Sequence, residues 1–177
     1  AFFQARGRFG WPELRHLLDD ILGALARAHA LDVIHRDLKP NNLLIQGDPH
    51  GEDWTATLFD FGIARALDDL SVQSTTTSRG SVVGTPSFMA PEQVLGDWRD
   101  EGPWTDLYAL GCLTWRATTG EAPFSGGSDM GVLIAHVKQP LPDFEPLFEL
   151  PDGFEALLRR LLAKSPGKRW RRAADAA

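Results

Sequence analysis

The stretch VIHRDLKPNN, residues 33–42, holds one carboxylate, Asp37, between bases: His35 and Arg36 precede it, Lys39 follows, and Asn41 and Asn42 close the run. Standing alone, Asp37 beside Arg36 would read as a surface ion pair. Its surroundings argue for more. Upstream, from Pro12 to about Ala30, the residues Leu14, Leu17, Leu18, Ile21, Leu22, Leu25 and Ala28 recur at three-and-four spacing, which predicts an amphipathic helix opened by a proline. Short extended runs surround the motif: DVIH at 32–35, LLIQ at 43–46 and TATLF at 55–59. The turn-rich stretch GDPHGEDW separates the last two, so they are expected to pair as a hairpin with an enlarged loop around Asp48 to Asp53.

Composition excludes several classes. The chain has 177 residues, 43% hydrophobic and 24% charged, as expected of about one globular domain. A net charge of −6 argues against a general nucleic-acid binder, which needs a basic surface to neutralise phosphates. The single cysteine, Cys112, cannot form an internal disulfide and lies in an apolar run, where it reads as core. No run approaches the roughly 18 apolar residues of a membrane helix, and the first residues lack a signal peptide's apolar centre, so the expected location is cytoplasmic. His16, His29, His50 and His136 show no metal-ligand spacing and read as ordinary helix or loop histidines.

Between Ser71 and Thr85, eight of fifteen residues are Ser or Thr, which predicts a long polar loop. Helices follow. Residues 105–119, TDLYALGCLTWRATT, carry few charges and are apolar around most of the circumference, as in a buried helix that Gly120 stops. Ser128 is placed to cap the next helix, and DGFEALLRRLLAK sets Leu157, Leu158, Leu161 and Leu162 on one face before Pro166. The basic run KRWRR, 168–172, reads as a solvated helix face.

A second acidic motif, FDFGIAR, contains Asp60, Phe61 and Gly62, and GTPSFMAPEQ follows at 84–93. With HRD, DFG and APE in that order, the chain resembles the protein kinase catalytic domain over essentially its whole length. TDLYALG at 105–111 is similar to the family's central buried helix and KSPGKRW at 164–170 to its late lysine, proline and arginine pattern. The resemblance implies a mainly α fold of the α+β kind: a kinase-like large lobe with short β-hairpins and a helical bundle, the small sheet lobe missing. It divides residues 1–177 into a catalytic loop at 35–42, an activation segment at 60–92 and substrate-side helices over 105–177.

The same resemblance implies transfer of the terminal phosphoryl group of ATP to Ser or Thr of protein substrates. Asp37 would orient the substrate hydroxyl and accept its proton, and Lys39 would steady the transferring phosphate. Asn42 and Asp60 would hold Mg2+, a hard cation that prefers oxygen, and Leu44 would close the floor of the adenine pocket. Lys39, Pro40 and Thr85, the last implied to contact the catalytic Asp and Lys, point to the serine/threonine branch; Gln93 is similar to bacterial members. His35 and Phe61 are implied to pack rather than react, and Glu92 and Arg169 to form an ion pair; autophosphorylation is expected among Thr75, Thr76 and Thr77, with Thr76 and Thr77 favoured, because Arg36 directly before Asp37 can pair with a phosphothreonine. Departures from the family pattern are Asn41, Phe88, Arg116, the longer hairpin loop and the segment DEGPW.

A complete kinase also carries a glycine-rich phosphate loop, a strand lysine and its glutamate partner, and ARGRFG does not match that loop. The chain is therefore expected to be a carboxy-terminal lobe whose partner is the missing N-terminal lobe. The alternative is a pseudokinase or scaffold lobe that binds proteins without catalysis. A small-molecule kinase of the aminoglycoside-phosphotransferase type would share the Asp and Asn logic but not GTPSFMAPE.

Overall fold

The computed structural model describes residues 10–48, 51, 53–61, 86–96 and 98–177. The first helix, α1 (Trp11–Ala30), starts one residue before the expected proline, where Glu13 Oε2 accepts the Gly10 N–H at 2.9 Å. Its buried face is Leu14, Leu17, Ile21, Leu22, Leu25 and His29. The apolar stripe thus ends on an imidazole rather than on Ala28.

Strands β1 (Leu43–Gly47) and β2 (Trp54–Leu58) form the expected antiparallel hairpin, with Leu43 opposite Leu58 and Gly47 opposite Trp54. Alternation along β2 sends Trp54, Ala56 and Leu58 into the core. Helix α1 also grips this strand through polar groups: Asp20 Oδ2 accepts the Ala56 N–H at 2.7 Å, and His16 Nε2 donates to the Trp54 carbonyl at 2.9 Å. The run at 32–35 forms no strand among the described residues, and its first residue, Asp32, belongs to the turn that ends α1, at φ 56. Its last N–H, that of His35, is taken by the Asp106 carboxylate instead.

Helix α2 (Pro91–Leu95) is one short turn and a half, closed by Gly96 in the left-handed region at φ 72. The central helix α3 (Pro103–Thr119) is buried on nearly every side. Thr114 and Thr118 are tolerated there because their hydroxyls donate back to the carbonyls of Leu110 and Thr114, at 2.8 and 3.0 Å. Gly120 ends it at φ 89, as expected. Gly111 has a packing reason: a Cβ there would lie 2.9 Å from Leu162 Cγ, so the glycine lets the last long helix approach.

In α4 (Asp129–Lys138) Ser128 caps as expected, its Oγ accepting from Gly131 N at 3.2 Å. Helix α5 (Phe154–Leu161) is shorter than the apolar pattern suggests, and Leu157 is half-buried. Beyond its end Arg169 donates to the carbonyls of Ala163 and Lys164 at 2.7 and 3.1 Å, acceptors left without helical partners. The expected helix across 168–172 is absent. These residues run between 3-10 turns at Pro166–Lys168 and Ala173–Asp175, with Arg169 buried and Arg172 bonded to the His29 carbonyl at 2.9 Å. Among the described residues no helix is long and apolar enough to cross a membrane.

A polar knot joins α3, α4 and the segment after α5. Tyr108 Oη donates to His136 Nδ1 at 2.9 Å, and Lys164 Nζ donates to the carbonyls of Ala135 and His136 at 3.1 and 2.8 Å. Burial pushes His136 down to about 4, and the Lys164 ammonium acts in the same direction. The unfolded chain therefore binds this proton first, near pH 6.5, and folding stability falls as pH drops from about 6.5 to 4, by about 3 kcal/mol for this group. His136→Gln keeps an acceptor for Tyr108 and removes the titration. It is expected to flatten that part of the urea-midpoint profile, and an unchanged slope would refute the assignment.

Candidate active site

The turn out of α1 leads through Asp32, at φ 56, and Arg36, at φ 63, to Asp37. Asp37 is knitted into its own loop. Lys39 Nζ donates to Asp37 Oδ2 at 2.6 Å, Asn42 Nδ2 donates to the same oxygen at 3.2 Å and to the Asp37 carbonyl at 2.8 Å. The other carboxylate oxygen takes neither of these donors. Both charged side chains are half-buried, so their attraction is screened less than that of a surface pair. Because both hydrogen bonds of the buried Asn42 amide use its nitrogen, the orientation is set and Oδ1 is turned away from Asp37 as an acceptor.

Asp60 is brought to this loop by the hairpin. One step beyond the Leu43–Leu58 pair, the Phe59 N–H donates to the Asn42 carbonyl at 3.1 Å, and Asp60 follows, exposed and at φ 54. A residue with a Cβ in the left-handed region is strained, a condition that clusters at functional sites. His35 locks the same corner: its Nε2 donates to the Phe59 carbonyl at 3.0 Å, its Nδ1 accepts the Asp37 N–H at 3.3 Å, and its ring lies 4.6 Å from that of Phe61. Both residues pack, as expected. Leu44 is 49% exposed on β1, and Phe59 nearby is 40% exposed. Thr85 lies outside the described residues, as do Thr75, Thr76, Thr77, His50 and the rest of 62–85.

Asp106 is the residue that sequence reasoning missed. It is buried at the start of α3, and its two oxygens receive three donors: His35 N–H at 2.8 Å, Arg36 N–H at 2.8 Å and His29 Nε2 at 2.9 Å. His29 Nδ1 accepts the Ala173 N–H at 3.3 Å, so the proton sits on Nε2 and points at Asp106. The signal was available: an aspartate in a helix apolar on all sides must be paired, since an unpaired buried charge is too costly.

Glu92 and Arg169 form the expected ion pair, at 2.7 Å from Nη1 to Oε1 and 2.9 Å from Nη2 to Oε2. Three carbonyls, those of Trp104, Ala163 and Lys164, take the remaining Arg169 donors, and Thr105 Oγ1 donates to Glu92 Oε1 at 2.8 Å. Cys112 is buried, and burial pushes its thiol up, so it stays protonated and inert. No group of three or more His, Cys, Asp and Glu among the described residues could hold a metal ion.

A family model described as "Protein kinase domain" matches residues 1–176. The chain is 40% identical over 167 residues to the serine/threonine-protein kinase PknA of Mycobacterium tuberculosis, covering 93% of this chain and 36% of that protein. It is 35% identical over 168 residues to the serine/threonine-protein kinase pkn3 of Myxococcus xanthus, covering 90% of this chain and 30% of that one. Against the serine/threonine-protein kinase PknB of Mycolicibacterium smegmatis the identity is 34% over 160 residues, covering 90% of this chain and 24% of the relative. The chain therefore spans about a third or less of the length of these relatives.

Proposed function

The chain belongs to the protein kinase family, and on that premise we propose that it transfers the terminal phosphoryl group of ATP to serine and threonine hydroxyls of protein substrates, working with an N-terminal lobe that these 177 residues do not include. The observation that carries the proposal is the Asp37 carboxylate, half-buried and held 2.6 Å from the Lys39 ammonium. A carboxylate alone would repel a triphosphate; beside an ammonium it can face one. Asp37 then orients the hydroxyl and accepts its proton as the new O–P bond forms and the bond to the ADP oxygen breaks. Lys39 offsets charge on the transferring phosphate.

The oxygen ligands fit magnesium. Asn42 Oδ1, freed by the turn of its amide nitrogen onto Asp37, and the exposed Asp60 carboxylate are two hard donors, few enough for an ion that keeps waters and phosphate oxygens. Such an ion would neutralise phosphate charge when bound. Leu44 offers an exposed apolar surface suited to the adenine ring, and Thr85 keeps the catalytic role that the family resemblance implies for it. In this reading 35–42 is the catalytic loop, 60–92 the activation segment and 105–177 the substrate-side helices.

The test is labelled-phosphate transfer with magnesium and ATP. The 177-residue chain by itself is expected to show none, because its sequence has no glycine-rich loop and no strand lysine. Loss of even one preorganised donor costs on the order of a hundredfold to a thousandfold. Turnover on joining a kinase N-terminal lobe supports the proposal. Continued silence would favour a scaffold that binds proteins without catalysis.

A further inference from the structure

The residue before Asp37 is gripped from three directions by one stretch of chain. Arg36 lies in the left-handed region at φ 63, strained for a residue with a side chain. Its N–H donates to Asp106 Oδ1 at 2.8 Å. Its carbonyl accepts from Gln93 Nε2 at 2.8 Å, and the orientation of that amide is set because Gln93 Oε1 accepts the Ala90 N–H at 3.1 Å. Its guanidinium Nε lies 3.1 Å from Glu101 Oε2, in the segment DEGPW. This last contact is one of charges: the Nε–H is not aligned for a hydrogen bond. Arg36 and Glu101 side chains are 18% and 15% exposed, sheltered enough for the attraction to survive screening.

The three grips are not equivalent. The torsion φ is rotation about the N–Cα bond. Asp106 holds the N–H, on one side of that bond, while Gln93 holds the carbonyl and Glu101 the side chain, both on the other. Asp106 alone would let the residue relax to negative φ while keeping its hydrogen bond; only a hold on both sides locks the torsion. We infer that Gln93 and Glu101 are positioning residues for phosphoryl transfer, which lock Arg36 in its strained conformation and so set the direction in which the chain delivers the Asp37 carboxylate. The inference rests on the kinase reading for its consequence, but the clamp itself is read without substrate.

The experiment compares Gln93→Met, Glu101→Gln and the unaltered chain by amide hydrogen exchange in two-dimensional NMR. Each variant is expected to speed exchange of the Asp37 amide about fivefold to tenfold, as for loss of one hydrogen bond or sheltered charge contact, with α1 amides unchanged. Unchanged Asp37 exchange in both variants, or an equal rise throughout α1, would overturn the clamp. With an N-terminal lobe joined, the variants are expected to lower kcat by a similar factor while KM for ATP stays within about twofold. Glu101→Ala is expected to regain part of its lost kcat in added acetate, a recovery that a purely structural side chain would not permit; absence of recovery counts against the charge role of Glu101. An unaltered chain that transfers no phosphate with its lobe overturns the functional reading, and exchange still decides the clamp.

Discussion

Asp37→Asn, in the chain joined to an N-terminal lobe, is expected to lower kcat for protein phosphorylation by about a hundredfold to ten-thousandfold, the range of a positioned general base, while ATP affinity stays within about threefold. Asparagine keeps the shape and can still accept the Lys39 hydrogen bond now made at 2.6 Å. It cannot accept a proton from a hydroxyl, and it leaves the Lys39 ammonium without its counter-charge. The proposed nucleotide contacts Asp60 and Leu44 are untouched, and Asn42 keeps its hydrogen bond to the residue 37 carbonyl while the asparagine oxygen can still accept its second, so the loss should fall on the chemical step and not on binding. Steady-state kinetics together with calorimetric titration of nucleotide measures both quantities. A variant that retains most of its turnover would remove Asp37 from the proposed chemistry, and a parallel collapse of ATP affinity would move it from the hydroxyl to the nucleotide.

What could be read from the chain, and what could not, divides by the range of the interactions. Asp37, Lys39 and Asn42 lie within six residues, and their mutual hydrogen bonds are a consequence of a short extended run closing into one 3-10 turn at Pro40–Asn42, so spacing encodes the geometry. The hairpin between Leu43 and Leu58 announces itself by alternation and turn residues, and it carries Asp60 to the same corner through the Phe59–Asn42 hydrogen bond. Asp106 acts on residues 70 and 71 positions earlier, and no local periodicity registers a contact of that reach. The same limit explains DVIH: its composition suits a strand, but the Asp106 carboxylate of α3 takes the His35 N–H. It also explains KRWRR, whose charges look solvated although Arg172 reaches the His29 carbonyl 143 residues away; the Glu92–Arg169 pair is expected from the family resemblance and not from local spacing. Buried polar anchors are written in pairs across the chain, and a single sequence shows each half separately.

Of those pairs, Glu92–Arg169 is expected to matter most for stability. Arg169 uses five donors on five oxygens: two on Glu92 and one each on Trp104, Ala163 and Lys164. Arg169→Met replaces the stem and removes every donor. The Glu92 carboxylate, buried beside α3, is then left with the Thr105 hydroxyl as its remaining side-chain donor among the described residues. Breaking a buried pair in this way costs about 3 to 5 kcal/mol, because the surviving charge cannot return to water without unfolding its surroundings. Glu92→Gln is expected to cost less, since the amide oxygen still accepts from the guanidinium and the three carbonyls still hold Arg169. The double variant Glu92→Gln with Arg169→Met should lose less than the sum of the two, as the orphaned charge is gone. Urea denaturation of the four proteins yields the cycle. A loss below about 1 kcal/mol in Arg169→Met would mean that the pair is solvated in solution. The functional consequence follows from adjacency: Glu92 precedes Gln93 on α2, so releasing the pair loosens the helix that carries the grip on the Arg36 carbonyl. Arg169→Met should therefore also speed Asp37 amide exchange, coupling the far end of the chain to the aim of its central carboxylate.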